Sequence, residues 1–230
     1  MLKTDAELAL SAVVANNAMN RERGLSGVNS YARELGFDPY AFLRERHAAT
    51  GTAAWLDLCC GEANALLEAA GRFAADGTAG VSFVGVDLVG RLGAVGVPPP
   101  GLRLVTASLA DWQPIGTFDV ITCVHGLHYV GDKLGLLTQI PLWLNGSGRF
   151  VADFDASLVR HADGRPATQH VIRALRRAGA EYDGRRRRVG WQGPIPLAFD
   201  GARHLGADDA AGPGYTGQPA VASHYTFASR

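Results

Sequence analysis

Apolar and polar positions alternate between two rhythms along this chain. Short apolar runs rich in β-branched and aromatic residues recur at 53–58, 81–87, 102–106, 118–124 and 148–154, and predict strands. Segments whose apolar positions fall three and four apart, at 63–75, 132–143 and 166–178, predict helices. Strands alternating with helices predict an α/β fold, a parallel sheet with helices on both faces. Upstream, residues 5–19 read as one helix built on Leu8, Val13 and Val14, ended by Asn20 to Gly24. Two shorter helices follow, Tyr31 to Leu35 and Pro39 to His47, with Asp38 as N-cap and Pro39 as the first helical residue. The run Pro98-Pro99-Pro100 marks a loop. Beyond 179 come strand-like pieces around a Gly/Asp/Pro-rich insert, closing with Ala220 to Ala228.

The bulk numbers narrow the field. A length of 230 residues suits one compact domain, read as an N-terminal helical cap over 1–50 on a body of 51–230. A formal net charge of zero gives no overall attraction for nucleic acid or an anionic membrane, so neither is expected as a partner. Three cysteines make no disulfide framework, the first residues lack a signal-peptide core, and no run reaches the ~18 apolar residues of a membrane span. A cytoplasmic protein is the expectation.

Chemistry concentrates in two places first. Trp55-Leu56-Asp57-Leu58-Cys59-Cys60-Gly61-Glu62-Ala63 reads as a buried strand with an acid at its end, a small-residue turn and the start of a helix. Phe83-Val84-Gly85-Val86-Asp87 repeats the strand-end carboxylate. A phosphate site would want bare amides and a lysine, whereas paired acids suit a ligand offering hydroxyls and an ammonium. This pairing resembles the class I S-adenosylmethionine-dependent methyltransferases. The resemblance implies a Rossmann-like, seven-stranded, mostly parallel sheet whose antiparallel last strand forms a hairpin with the sixth. It also implies S-adenosylmethionine as cofactor, with the 199–219 connection and the N-terminal helices on the cofactor side.

Carried over residue by residue, Asp57 matches the acidic start of the motif and Gly61 its central glycine. Cys59 and Ala63 stand where the first and third glycines usually are; both are small, so the turn is expected if neither position needs a positive φ. Asp87 matches the acid that accepts the ribose hydroxyls. In Thr106 to Trp112 the adenine-binding position falls on Ser108, with Asp111 the other candidate for the exocyclic amine. Leu88, Leu109 and Cys123 complete the implied cofactor set. Tyr31 joins it, with Arg23, from a polar segment that covers the cofactor in related enzymes.

His125 and His128 follow the fourth strand, where these enzymes place groups beside the transferable methyl, and are the candidate catalytic residues. Histidine suits proton removal from a hydroxyl, which an amine acceptor does not need. Tyr129, Asp208, Asp209 and Tyr215 are the candidate substrate contacts. No metal is expected, since adjacent cysteines cannot readily share one ion and the histidine pair lacks a partner cluster. The run Arg185 to Arg188 reads as an edge strand whose charges alternate between faces. The expected activity is methyl transfer to the oxygen or nitrogen of a small molecule in an enclosed pocket; a homodimer is left open. Alternatives are an RNA or protein methyltransferase, a non-methylating S-adenosylmethionine-binding protein, and a nicotinamide oxidoreductase. The last needs G-x-G-x-x-G, which residues 59–64 do not supply, and Glu62 would oppose its pyrophosphate.

Overall fold

The computed structural model describes residues 1–15, 23–89 and 97–228. Its strands are β1 (Ala53–Leu58), β2 (Val81–Asp87), β3 (Leu102–Thr106), β4 (Phe118–Cys123), β5 (Leu144–Asp153), β6 (Val159–His161), β7 (Glu181–Asp183), β8 (Arg188–Gln192), β9 (Arg203–Asp208) and β10 (Ala222–Thr226). Seven of them form one sheet in the order β3-β2-β1-β4-β5-β8-β7. Pairings among β1 to β5 are parallel, and β8 runs antiparallel to both β5 and β7. This is the sheet implied by the resemblance.

Two expectations change. The segment 5–19 is not one helix: α1 (Asp5–Ala9) and α2 (Ala12–Ala15) are separated at Leu10–Ser11, and residues 16–19 lie outside the described ones. Ser11 turns its hydroxyl to the Val13 amide and to Asp209, and so starts a new helix instead of continuing the old one. The closing hairpin of the main sheet is β7–β8, joined through Gly184 to Arg187, so most of the arginine run read as an edge strand is its turn. Asp183 accepts from the Arg185 and Arg186 amides, which folds the arginine run into a turn, and only Arg188 enters a strand. The 199–219 connection carries β9, which pairs with β10 and β6 in a separate three-stranded sheet.

The remaining helices are α3 (Tyr31–Leu35), α4 (Pro39–Thr50), α5 (Asn64–Ala75), α6 (Lys133–Trp143) and α7 (Thr168–Arg177). On one side of the sheet, Tyr31, Leu35 and Leu43 from α3 and α4 join Leu66, Ala69 and Phe73 from α5 against Trp55 and Phe83. On the other, Leu137 and Ile140 of α6 and Val171 and Leu175 of α7 pack on Leu56, Ile121 and Phe150. Helices α3 and α4 therefore share a core with the sheet, whereas Leu8 of α1 packs apart from it with Ala207 and Val221.

Two buried charged groups tie these layers together. Asp57, fully buried in β1, accepts from the Thr122 hydroxyl at 2.6 Å and the Tyr31 hydroxyl at 2.7 Å, while the Trp55 indole donates to Thr122 at 2.8 Å. Burial pushes the Asp57 carboxyl up to about 7, and the two donors pull the other way. Lys133, at the start of α6, donates to the carbonyls of Val130 (2.7 Å) and Val221 (2.8 Å) and to the Ser223 hydroxyl (3.1 Å), joining the main body to β10. Burial draws Lys133 down to about 7, and two carbonyls and a hydroxyl satisfy the buried amino group.

Two stability predictions follow from these groups. Removing the amino group in Lys133→Ala strands its three buried partners, and we expect a loss of ~2–4 kcal/mol. It should be read as a lower urea midpoint at an unchanged slope. For Asp57, the folded carboxyl holds its proton up to about pH 7, whereas the unfolded one releases it near pH ~4. Its contribution is therefore full below that lower value and is lost as pH rises through the upper one. The stability advantage of the wild type over Asp57→Asn should shrink as pH rises across that window. A difference that stays flat in urea titrations across that range would contradict the buried-acid assignment.

Candidate functional site

At the end of β1 the backbone turns left-handed three times in alternation, at Cys59 (φ 56°), Gly61 (60°) and Ala63 (60°). The condition set from sequence, that neither Cys59 nor Ala63 need a positive φ, is not met, and the turn forms regardless. Each non-glycine residue there costs about 1–2 kcal/mol. Surrounding bonds over-determine the turn: the Cys60 amide donates to the Val86 carbonyl at 3.0 Å, and the Gly61 amide to Asp87 Oδ2 at 2.9 Å. Across from it, any Cβ on Gly126 would overlap that of Cys59, so the close approach requires glycine. His125 beside it is left-handed too, at φ 55°. Strain thus gathers at one end of the sheet.

A cleft of about 1010 Å³, its solvent mouth included, opens on this turn. Cys59, Gly61 and Glu62 form its floor; Asp87, Leu88 and Val89 one side; Ala107 to Ala110 another; Gly126 and Tyr129 to Asp132 the far wall. Asp5, Leu8, Ala9 and Val14 of the first two helices close it. Asp87 Oδ1 also accepts the Val89 amide at 2.9 Å. Four acids (Asp5, Glu62, Asp87 and Asp132) and no lysine or arginine appear among the described lining residues. Such a lining repels a pyrophosphate and favours a ligand carrying hydroxyls and positive charge.

A second, polar cleft is lined by His125, the residue before Gly126 of the first. Arg23, Arg33, Glu34, Asp153, Arg186, Tyr215, Thr216 and Gln218 complete its lining. His125 sits between two carboxylates, with Nε2 3.7 Å from Glu34 and Nδ1 3.8 Å from Asp153. Its backbone amide donates to Asp153 at 3.1 Å, while both buried ring nitrogens lack a hydrogen-bond partner among the described residues. Arg23 donates to Glu34 at 2.6 Å. His125, against the opposing pull of burial, and then Arg23 hold the Glu34 carboxyl below its usual range. Burial pushes Asp153 up to about 6. The ligand atoms of Glu34, His125 and Asp153 lie within 4.8 Å of one another, so the fold supplies the partner cluster that the sequence did not show. Arg23 already neutralises one carboxylate, and the ring faces the two acids with different nitrogens. That arrangement clamps an imidazole more readily than it holds a cation.

The candidate residues from sequence distribute over these features. Cys59, Gly61, Asp87, Leu88, Ser108, Leu109 and Tyr129 line the first cleft, and His125 and Tyr215 line the second. Asp57, Tyr31 and Cys123 are buried beneath the turn and line neither. Asp111 lies outside the lining, its amide bonded to the Ser108 carbonyl. Asp209 binds Lys3 and Ser11, and Asp208 accepts the Ala210 amide, so both brace the connection itself. His128 is buried between His125, Tyr129 and Tyr215 rings, and burial drives it down to about 3, which keeps it neutral. Glu34 and Asp153 were not anticipated. Asp153 ends β5 as Asp57 and Asp87 mark β1 and β2, a signal that could have found it; nothing local marks Glu34.

Among the described residues no helix is long and apolar enough to cross a membrane. No curated protein matches the chain. Solved structures with a similar arrangement include the plantazolicin methyltransferase BpumL with a pentazolic desmethylPZN analog and SAH. It shares 12% identity at a TM-score of 0.38, over 49% of this chain and 44% of that one. CalS10, an amino pentose methyltransferase of Micromonospora echinaspora with SAM bound, shares 24% at 0.38, over 50% and 49%. An S-adenosylmethionine-dependent methyltransferase of Mesorhizobium loti shares 27% at 0.37, over 50% and 53%. The chain spans about half the length of these structures. Residues 28–192 match the family described as a methyltransferase domain. Because that match covers most of the chain and its sheet has the order expected of the class, this chain belongs to the methyltransferase-domain family.

Proposed function

We propose that this chain transfers a methyl group from S-adenosylmethionine to an oxygen or nitrogen of a small molecule seated in the second cleft. The observation that carries the reading is that consecutive residues line two clefts of different charge, Gly126 the first and His125 the second. The first, acidic and free of described basic side chains, has the chemistry of a donor site for an ammonium, a sulfonium and two ribose hydroxyls. When bound, the cofactor supplies an electrophilic methyl on sulfur. Asp87 accepts from the ribose, Gly61 allows close approach of the chain, and Ser108 and Leu109 flank the base.

The second cleft suits the acceptor. Arg23, Arg33 and Glu34 enter from the N-terminal segment, and Tyr215, Thr216 and Gln218 from the connection between β9 and β10. Segments distant in sequence thus close over one polar space, which favours an enclosed small molecule over a polymer. Displacement at a methyl group depends on alignment and exclusion of water more than on strong acid or base chemistry. His125, held by Asp153 and Glu34, orients the acceptor and can take a hydroxyl proton. His128, neutral to about pH 3, serves as packing behind it.

Labelled S-adenosylmethionine incubated with hydroxylated and amino small molecules, with RNA and with protein tests the acceptor class. Label entering RNA, and lost on changing Arg185 to Arg188, would replace this reading with a nucleic-acid methyltransferase. For the donor site, Asp87→Ala should weaken S-adenosylhomocysteine binding by ~2–4 kcal/mol in calorimetry. Tight binding of a nicotinamide dinucleotide instead would overturn the donor assignment. For the acceptor site, His125→Ala should lower turnover by roughly 10²–10⁴ if the ring takes a proton. If it only orients the acceptor, the Michaelis constant should rise more than turnover falls. Cofactor affinity should stay nearly intact in either case; unchanged kinetics would remove His125 from the mechanism.

A further inference from the structure

Cysteine is an unexpected residue at position 59. The backbone there is left-handed, and glycine would adopt it without strain. The thiol that this strain supports has a specific neighbour. In an alternating strand Cys59 would face away from Leu58, but the left-handed turn brings it back to the same side. It packs with Leu58 and Cys123 in the cluster under α6 and α7, whereas Cys60 belongs to the opposite cluster. The sulfurs of Cys59 and Cys123 both lie 2.7 Å from the point a Gly126 Cβ would occupy, so they face each other across the space of a single methyl group. Cys60 points instead toward Gly85, on the far side of the sheet.

Strand register agrees. Asp57 pairs with Thr122 across β1 and β4, so Cys59 lies one step diagonal to Cys123. With strands ~4.8 Å apart and a rise of ~3.3 Å, such a diagonal separates the Cα atoms by about 6 Å. Disulfides form at Cα separations of about 4.4–6.8 Å. Access is asymmetric: Cys59 is partly exposed on the cofactor cleft, while Cys123 is buried behind it. The Cys123 thiol is held protonated by its contact with Cys59 and then by burial, and so presents its S–H to the Cys59 sulfur.

We propose that Cys59 and Cys123 form an oxidation-sensitive pair, and that their disulfide distorts the floor of the cofactor cleft and weakens cofactor binding. A hydroperoxide is the oxidant. The Cys59 thiolate attacks the outer peroxide oxygen; the O–O bond breaks, an S–O bond forms, and with one proton taken up the leaving oxygen departs as water or an alcohol. The Cys123 sulfur then attacks the Cys59 sulfenic sulfur, its proton leaves with the hydroxyl as water, and the S–S bond closes. Two thiols lose two electrons and the peroxide gains them. Drawing the sulfurs together moves Cys59, whose turn sets the Gly61 amide against Asp87. Bound cofactor, by covering Cys59, should slow the reaction.

The test treats the full chain with hydrogen peroxide and follows both thiols and S-adenosylhomocysteine affinity. Thiols titrated in denaturant should fall from three to one, with a cross-link between residues 59 and 123 by mass spectrometry. Affinity should fall by about tenfold or more, the scale of one lost charge-assisted bond, and dithiothreitol should restore it. Cys59→Ala and Cys123→Ala should each show the same affinity before and after peroxide, while Cys60→Ala should respond as wild type. Three thiols surviving, a bond through Cys60 or between chains, or a 59–123 bond that leaves affinity unchanged would each overturn the proposal. The proposal rests on the donor-site reading. Failure of the reduced protein to bind S-adenosylhomocysteine would count against that reading, while the thiol titre would still decide whether the bond forms.

Discussion

The buried carboxylate of Asp57 is the constraint on which the rest depends. A charge removed from water needs partners, and this one takes hydroxyl donors from two directions, Thr122 in the neighbouring strand and Tyr31 in the N-terminal helices. The Trp55 indole completes the set by donating to Thr122. Satisfying one acid therefore fixes β1 against β4 and docks α3 on the sheet. Because Asp57 lies just before the strained turn, the same bonds set where that turn begins. The residue that marks the cofactor motif in sequence acts from beneath the cleft, through the geometry it imposes on residues that reach the surface.

Strain is the second consequence. Left-handed backbone at Cys59, Ala63 and His125 is unfavourable for residues with a Cβ. It persists because the strands, the Asp87 carboxylate and the glycine at 126 leave those residues no other path. Of the three, Cys59 lines the first cleft and His125 the second. The hydrogen bonds around Asp57 and the pairing of the strands hold the turn in place, and the result is a cleft floor in which small residues bring the chain close to whatever binds.

Charge then divides the labour between the clefts. Four acids without a described base face the first, and three arginines, two acids and a histidine face the second. That contrast, more than shape, is what the proposed division into a donor site and an acceptor site rests on. The N-terminal helices and the connection between β9 and β10 contribute to both the walls and the cover. Lys133 anchors the second sheet that carries this connection, so a single side chain links the body of the fold to the segment that lines the second cleft.

The amino-acid sequence by itself determined the sheet, its helices and the end of it that does chemistry. Period-two and period-3.6 patterns are local, and so are acids placed at the ends of apolar strands, which is why Asp57 and Asp87 could be placed at the ends of β1 and β2. The resemblance supplied the strand order and the hairpin, but the turn at Gly184 to Arg187 looked like a strand because arginines alternate as well as they turn. What only tertiary structure decided was long-range. Glu34 and Asp153 come together around His125 from positions over a hundred residues apart, and neither shows in its own neighbourhood what it will face. Asp208 and Asp209 read as substrate contacts from their loop, yet Lys3 and Ser11 claim Asp209 once the chain is folded. Nothing near Lys133 in the chain shows that Val221 and Ser223 will satisfy its amino group. Periodicity reports which face of an element is buried; it cannot report which distant side chain will satisfy a polar group there, and that pairing makes the site.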